Sequence, residues 1–484
     1  MAGTTAKKGK MTYVHVVIML ALMLGGGLLP PFGEITPLGM KVFGVFLGLL
    51  YGWCFIDILW PSVLGFFTLS LSGCVTVLEG FVAGFSNQTT IMVIFSYAFA
   101  FCLERIGVSA AIAYWALSKK MFVNRPWLLI TVIVLIAVLI SMLGGMFAGI
   151  FLLWTVVRAI AEANKMKEGN IITSMLYALI LFGGFSGGQM VPFMGGVIMY
   201  GGFLTKGTGV VVEGPGFLFA GELYTVLSML AVILIVKLVF RPDASAFVLT
   251  EDMRQKYAQY RLNRVQKVGL ITLIFYFLAL LLPSVMKGDI WTMLASWGIV
   301  GMTIIYMTIF AVWKNDKGES VCPMSDCFTQ GVAWAPIMLF MVTIPLANAM
   351  ESEEVGIMAT VNKACMSIFS GMNVTLMLIL TVILVGFLTQ FLHNLVMGAI
   401  FIPTLGAIII EMGGNPVTFF FVIYAALCCS FATPAASMQA GLLFGRDDVP
   451  VKHSYLMGWL YYVVTVVIVI AMIPLCNILF ASYM

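Results

Sequence analysis

Apolar stretches long enough to cross a bilayer recur along the whole chain, separated by short polar segments. One crossing needs about 20 predominantly apolar residues. Two apolar segments, 126–163 and 366–411, are too long for a single crossing, and glycine or histidine interrupts the middle of each. The pattern predicts an all-α polytopic membrane protein with two re-entrant hairpins and about 11 transmembrane helices. The predicted spans are 14–30, 38–56, 58–76, 89–104, 171–204, 217–240, 268–286, 290–313, 331–350, 415–445 and 455–480.

The composition agrees with a membrane protein and excludes several soluble classes. Of the 484 residues, 62% are hydrophobic and 10% are charged, whereas soluble domains carry roughly 25% charged residues. The net charge of +4, with no basic run apart from apolar residues, excludes a nucleic-acid-binding chain. Cys322 and Cys327 share one polar loop, but no histidine or second cysteine pair accompanies them. Their spacing therefore does not indicate a metal site.

The distribution of basic residues orients the chain in a membrane. With a cytoplasmic N-terminus and hairpins that return to the side they entered, most of the 25 Lys and Arg residues lie inside, as the positive-inside rule requires. The C-terminus is then outside, hairpin 126–163 enters from the cytoplasm and hairpin 366–411 enters from the opposite face. The exceptions are Lys41, Lys206, Lys287 and Lys363 outside, with Lys237 at the inner end of its helix.

The chain divides into two halves of opposite orientation. Residues 1–37 form an N-terminal tail and first helix, 38–240 form the first repeat, 241–267 form a basic cytoplasmic connector and 268–484 form the second repeat. Each repeat holds one hairpin and one interrupted span, 171–204 in the first and 415–445 in the second. Two inverted repeats with interrupted helices are typical of secondary transporters.

Internal sequence matches support the repeat. The hairpin centres Ser141–Gly149 and Thr389–Met397 are 248 positions apart, and interrupted spans follow them at Gly183–Pro192 and Ala432–Gly441. Non-helical backbone at membrane depth is tolerated where it is buried in protein or lines a cavity, and helix ends there bind ions. The alternative is that the glycines only allow close helix packing. Polar candidates in the interrupted spans are Ser186, Gln189, Thr433 and Gln439.

Three segments resemble the divalent-anion:sodium symporter family of the ion transporter superfamily. They are Phe85–Gly107, Phe387–Pro403 and Phe431–Gly445. The resemblance implies a homodimeric secondary active transporter in which a hairpin-bearing region moves like an elevator against a fixed scaffold. It also implies that the hairpin turns and the interrupted helices bind the substrate and sodium.

The motifs that bind substrate in that family are altered in this chain. The family has Ser-Asn-Thr at both hairpin turns, where this chain has Gly145–Phe147 and His393–Leu395, and its Pro-Pro-Asn motifs become Pro192–Met194 and Met438–Ala440. The apolar replacements predict a substrate with fewer carboxylates or a larger apolar part. The resemblance implies a substrate site at Gly145, Met146, Phe147, Val191, Pro192, His393, Asn394, Leu395, Ser437 and Met438.

Oxygen ligands for sodium are unequally retained in the two halves. A hard cation prefers several oxygen ligands. The resemblance implies one possible sodium site at Thr389, Leu392, Asn394 and Ala436. The first site is degenerate, because only Ser141 and backbone oxygens such as that of Gly145 remain.

His393 is one of three histidines and lies at a predicted midplane turn. A titratable group there predicts a functional role, and histidine changes charge near neutral pH. It could bind a carboxylate or carry a coupling proton; the alternative is a neutral histidine bonded to a backbone carbonyl. An anion would otherwise rely on four helix N-termini.

These patterns predict a carrier that moves a small organic anion of the carboxylate class across the cell membrane, coupled to a cation. The alternatives are a proton-coupled carrier or an uncoupled exchanger of a less polar or monocarboxylate substrate. A channel or an intramembrane enzyme is a more distant alternative, since no intramembrane acid accompanies His393. Expected partners are the lipid bilayer, the anion, and sodium or a proton. We expect neither a catalytic residue nor a cofactor other than sodium.

Overall fold

The computed structural model is all-α over the residues that it describes, which confirms the predicted fold class. These residues are 2–143, 146–212, 214–284, 286, 288–315, 317–357, 359–360, 363, 372–392, 394–434 and 436–483. Eight helices among them are long and apolar enough to cross a membrane. One of the eight, Asn394–Glu411, is a hairpin arm, so helix length alone does not separate arms from spans.

The helices follow one another in two similar series. The first half contains α1 Ala2–Gly25, α2 Pro37–Phe55, α3 Leu59–Ser72, α4 Val77–Ser86, α5 Gln88–Ile106, α6 Val108–Leu117, α7 Pro126–Met142, α8 Met146–Ala163, α9 Ile171–Gln189, α10 Gly195–Thr208 and α11 Pro215–Ile235. The second half contains α12 Glu251–Ala258, α13 Arg264–Leu281, α14 Asp289–Val312, α15 Met324–Thr329, α16 Trp334–Glu351, α17 Val374–Leu388, α18 Asn394–Glu411, α19 Pro416–Cys428, α20 Met438–Phe444 and α21 Val451–Leu479. Within the segment predicted as an N-terminal tail and first helix, residues 1–37, α1 already begins at Ala2.

Asparagine begins equivalent helices of the two halves. The side chain of Asn170 accepts a hydrogen bond from the amide of Ile172 at 2.8 Å at the start of α9. At the start of α19 the side chain of Asn415 accepts hydrogen bonds from the amides of Val417 and Thr418 at 2.9 and 3.0 Å. These caps pair amides that the first turn of a helix leaves without partners.

The helices pack into two bodies. We call α7–α11 with α17–α21 the hairpin body, because α7 and α8 pack on α9, α17 and α18 pack on α19, and α11 packs on α21. We call α1–α5 with α13–α16 the frame, in which α16 packs on α3 and α4 and α14 packs on α5. The two bodies meet where α10 contacts α5 and where α18 contacts α16 and α2.

The connector is bonded to the two segments that flank the first hairpin. The guanidinium of Arg254 donates to the carbonyl oxygen of Ser118 at 3.0 Å, at the end of α6. The side-chain amide of Asn164, just beyond α8, donates to the carbonyl oxygen of Val248 at 2.9 Å. The connector is therefore held at the base of the first hairpin.

The glycine-rich stretch of the first half is helical, contrary to the prediction that the helix is interrupted there. Gly183–Gln189 completes α9, and the interruption follows at residues 190–194. A Cβ added at Gly187 would lie 2.9 Å from the carbonyl oxygen of Val138 in α7. Close packing of the hairpin on α9 thus explains these glycines, and Pro192 lies in the interruption itself.

Gly187→Ala should destabilise the protein, because the new methyl group meets the backbone of α7 and the helices must separate. Overpacking of this kind costs about 1–3 kcal/mol. The measurement is the melting temperature of the purified protein in detergent, which should fall by several degrees. The control is Gly201→Ala in α10, where the nearest atoms to an added Cβ are 4.0 Å away. Equal melting temperatures for the two variants would contradict the packing role.

Candidate functional site

The turn of the second hairpin is bonded to the interruption between α19 and α20. The side chain of Gln390 lies at this contact and is fully buried. Its amide nitrogen donates to the carbonyl oxygens of Gly386 at 2.8 Å and Cys429 at 3.1 Å. Its amide oxygen accepts from the backbone N–H groups of Phe431 at 3.1 Å and Ala432 at 2.8 Å.

Gln390 therefore bonds three backbone groups of the interruption, of which the N–H of Phe431 and the carbonyl oxygen of Cys429 also bond to each other at 3.0 Å. Thr433 strengthens the same contact, since its hydroxyl donates to the carbonyl oxygen of Gln390. Gln390 is not among the residues predicted from the sequence. The available signal was an uncharged amide in an apolar hairpin, one position after Thr389.

The turn of the first hairpin lies against the end of α9. A Cβ added at Gly188 would lie 3.3 Å from the carbonyl oxygen of Ser141 and 3.6 Å from the Cβ of Met146. Gln189 then joins the two halves, because the hydroxyl of Tyr424 in α19 donates to its backbone oxygen at 2.9 Å and its side-chain oxygen at 2.8 Å. Both hairpin turns thus meet the interrupted helices of the hairpin body.

Unpaired hydroxyl groups are buried at equivalent positions of the two hairpins. Ser141 lies in the last turn of α7, and Thr389, 248 positions later, directly follows α17. Both side chains are buried. Neither hydroxyl has a hydrogen-bond partner among the described residues. Ser430, in the interruption that Gln390 binds, also has a buried hydroxyl without a described partner. A buried polar atom without a partner is costly, and such atoms are suited to bind a cation.

The second half offers more of these oxygens than the first. Thr389 and Ser430 lie on the two segments that Gln390 joins, whereas Ser141 is the one such hydroxyl described beside the first hairpin turn; Glu222 and Ser228, the other unpaired polar side chains described in the first half, lie in α11. Of the other predicted sodium ligands, Ala436 is buried and Leu392 is half-buried. Asn394 is buried at the start of α18, and its side-chain oxygen accepts the N–H of Leu395 at 2.9 Å.

The predicted substrate residues are only partly described. Gly145 and His393 lie outside the described residues, as do the side chains of Phe147 and Met438. The remaining predicted positions lie near the two turns and interruptions: Met146, Val191, Pro192, Asn394, Leu395 and Ser437. Leu395 and Val191 are buried and apolar.

Four helices begin at the turns and interruptions: α8, α10, α18 and α20. The first amides of the three long helices among them favour an anion. The fourth helix, α20, has seven residues. Its N-terminal amide is also occupied: Ser437 accepts the N–H of Ala440 at 3.1 Å and donates to the carbonyl oxygen of Ser430 at 2.8 Å.

A buried chain of hydroxyl groups crosses the hairpin body. The hydroxyl of Tyr461 lies 2.6 Å from that of Ser186 and 3.3 Å from that of Tyr224, which in turn lies 3.0 Å from that of Thr465. The chain links α9, α11 and α21. Ser186 was a sequence candidate for the site, and this network instead gives it a packing role between helices.

A cavity lies between the two bodies, where α2, α10, α16 and α18 meet. It has a volume of about 250 Å³ and is mainly apolar, and its lining includes Trp53, Lys206, Thr343, Met350, Glu351 and Thr404. Lys206 of α10 donates to the carbonyl oxygen of Ile344 at 2.8 Å and to the side-chain oxygen of Asn348, both in α16. We assign the site to the turns, where the unpaired oxygens and helix N-termini lie, and the cavity to the contact between the bodies.

Comparison with known proteins identifies the family. The profile described as "Sodium:sulfate symporter transmembrane region" matches residues 10–481. None of the curated proteins matches the chain at a significant level. Among solved structures, the Alcanivorax borkumensis YdaH transporter is similar, with a TM-score of 0.57 and 13% sequence identity over 92% of this chain and 99% of that one. At this identity the likeness shows the fold alone.

Gln390→Ala should lower the stability of the folded protein by about 1–3 kcal/mol, because the buried N–H of Ala432 loses its described partner and the backbone groups of Phe431 and Cys429 lose a second bond. The change is measured as the melting temperature in detergent. Gln259→Ala in the connector, where the side chain is exposed, serves as the control. A Gln390→Ala protein as stable as this control would show that the amide does not hold the interruption.

Proposed function

The chain belongs to the sodium:sulfate symporter family, and we propose that this multi-pass secondary transporter carries a small organic anion of the carboxylate class. The family description names an anion and sodium. Family membership also favours a carrier over the channel and enzyme alternatives. The substrate class and the coupling ion are inferred from the residues at the hairpin turns.

Sodium coupling through the second half is the first part of the proposal, and the buried hydroxyls carry it. Thr389 and Ser430 both lack partners among the described residues, and a hard cation would satisfy them together with backbone oxygens. The carbonyls of Leu392 and Ala436 and the side chain of Asn394 complete the proposed set. Beside the first hairpin turn the described residues offer one such hydroxyl, that of Ser141, since the unpaired hydroxyl of Ser228 lies in α11. With one hydroxyl at the first turn against two at the second, we propose a single sodium ion.

The anion is proposed to bind between the two hairpin turns. The N-termini of α8 and α18 begin there, and their amides favour a negative charge. Met146 and Leu395 occupy positions where the family has polar side chains, so the substrate has fewer carboxylates or a larger apolar part than a typical dicarboxylate. His393 is proposed to face the same carboxylate, and in the proton-coupled alternative it carries the coupling proton.

An elevator-like movement of the hairpin body against the frame is the third part. A cavity occupies part of the contact between the bodies, and the side chain of Lys206 donates a hydrogen bond across this contact. A sliding hairpin body would break the bonds of Lys206 to α16 in each cycle. The site at the turns lies within the hairpin body and would move with it.

Location and assembly complete the proposal. We propose a homodimer in the cell membrane, with a cytoplasmic N-terminus and an external C-terminus. The support is the charge distribution and the family resemblance. The molar mass of the detergent-solubilised protein, corrected for detergent, tests the dimer directly.

Sodium-dependent binding is tested by thermal stability with mono-, di- and tricarboxylates and sulfate, each with and without sodium. A ligand that binds only the folded state raises the melting temperature. A carboxylate should raise the melting temperature of the wild type when sodium is present. The Thr389→Val variant should need at least ten times more sodium for the same rise. Thr381→Val is the matched control. Thr381 lies in α17, the helix that Thr389 follows, and its hydroxyl already donates to the carbonyl oxygen of Met377 at 2.8 Å.

The same measurement at pH about 5.5 and about 8 separates the coupling ions. The proton-coupled alternative would be favoured if the rise in melting temperature were independent of sodium, dependent on pH and absent in His393→Ala. Stabilisation by sulfate alone would contradict the carboxylate class. If no anion had an effect, the proposed substrate class would be wrong and family membership would stand.

A crosslink between the bodies tests the movement. In liposomes, oxidation of a Lys206→Cys, Asn348→Cys double variant should reduce uptake of the stabilising carboxylate at least tenfold, and a reductant should restore it. The single variants control for the lost lysine and for native cysteines. An Arg158→Cys, Glu162→Cys pair, one turn apart on α8, controls for oxidation within one body. Full uptake by the crosslinked protein would exclude sliding at this contact.

A further inference from the structure

Three cysteine side chains converge in the frame, away from the hairpin body. Cys102 lies in α5, and Cys322 and Cys327 lie on either side of the start of α15. Their sulfur atoms all lie within 4.8 Å of one another, and the Sγ atoms of Cys322 and Cys327 are 3.4 Å apart. All three side chains are buried, with at most 1% exposed.

The fold brings these residues together from segments about 220 positions apart. The loop after α14 turns back on that helix, because the N–H of Cys322 donates to the carbonyl oxygen of Phe310 at 3.1 Å. α15 then packs on α5. Arg105, one turn beyond Cys102, forms an ion pair with Asp326 at 3.3 Å. The sequence showed only the pair in the loop, without the third thiol.

The spacing of the sulfurs matches the ligands of one metal ion. A buried cysteine usually packs as a small hydrophobic residue, and a single one would need no other explanation. Zinc–thiolate bonds of about 2.3 Å place tetrahedral sulfur ligands about 3.8 Å apart. The three sulfurs surround a point from which one ion could reach all of them after small shifts.

A positive charge lies beside the cluster. Arg105, one turn beyond Cys102, would offset part of the negative charge of bound thiolates, although its ion pair with Asp326 shares that charge. Metal binding replaces the thiol protons, which pass to water. The loop also lies on the predicted cytoplasmic side, where cysteines stay reduced.

We propose that Cys102, Cys322 and Cys327 bind one thiophilic metal ion, zinc(II) or copper(I), which ties α5 to the loop between α14 and α16. Thiolates are soft ligands that select these ions. The described residues supply three ligands, which suits three-coordinate copper(I); zinc(II) would take a fourth ligand from solvent. The role is structural: the ion would stiffen the frame against which the hairpin body packs.

The test uses the full-length protein purified without oxygen. Metal content is measured by mass spectrometry, and the apo protein is then titrated separately with zinc(II) and with copper(I). One equivalent of one of these ions should bind and raise the melting temperature by several degrees. Binding of neither ion above a stoichiometry of about 0.1 would overturn the proposal.

Variants identify the ligands. Cys102→Ser and Cys322→Ser should each lower the affinity at least tenfold, whereas Cys476→Ser, which removes a buried thiol in α21, should leave it unchanged. If a serine variant does not fold, the wild type decides: a chelator should lower its melting temperature, and the same metal should restore it. Binding unaffected by both serine variants would overturn the assignment, as would a Cys322–Cys327 disulfide in protein that binds no metal after reduction.

Discussion

The architecture depends on satisfying backbone groups where a membrane helix is interrupted. Without water, an unpaired N–H or C=O at membrane depth costs several kcal/mol. The second half meets this requirement with one side chain, since the buried amide of Gln390 pairs with Cys429, Phe431 and Ala432. This contact positions the second hairpin turn beside the interruption, and therefore assembles the proposed ion site.

The two halves meet the same requirement by different means. In the first half, glycines of α9 let the hairpin approach closely, with Gly187 facing the backbone at Val138. In the second half, an amide bonds the two segments. The second hairpin turn consequently lies beside two unpaired hydroxyls, those of Thr389 and Ser430, whereas the described residues at the first turn offer that of Ser141. This asymmetry is the physical reason to expect one sodium ion rather than two.

The division into a frame and a hairpin body gives each polar feature a place. The unpaired hydroxyls and helix N-termini belong to the hairpin body, which would carry the substrate. Lys206 bonds the two bodies across a largely apolar cavity, a contact that can be broken at modest cost. The three thiols lie within the frame, where stiffness rather than movement is required.

The sequence by itself determined the fold class and the family, and it predicted where the site lies. The lengths of the apolar segments, the distribution of basic residues and the 248-residue offset between matching segments depend on residues close together in sequence or on simple counts. They could therefore be recognised without a structure. Ser141 and Thr389 were found because the repeat places them at equivalent positions. Only the tertiary structure decided that Gly183–Gln189 is helical, that Gln390 holds an interruption and that Cys102 joins Cys322 and Cys327. These facts depend on contacts between segments far apart in the chain, and the partners of a buried polar group cannot be read from its neighbours in sequence.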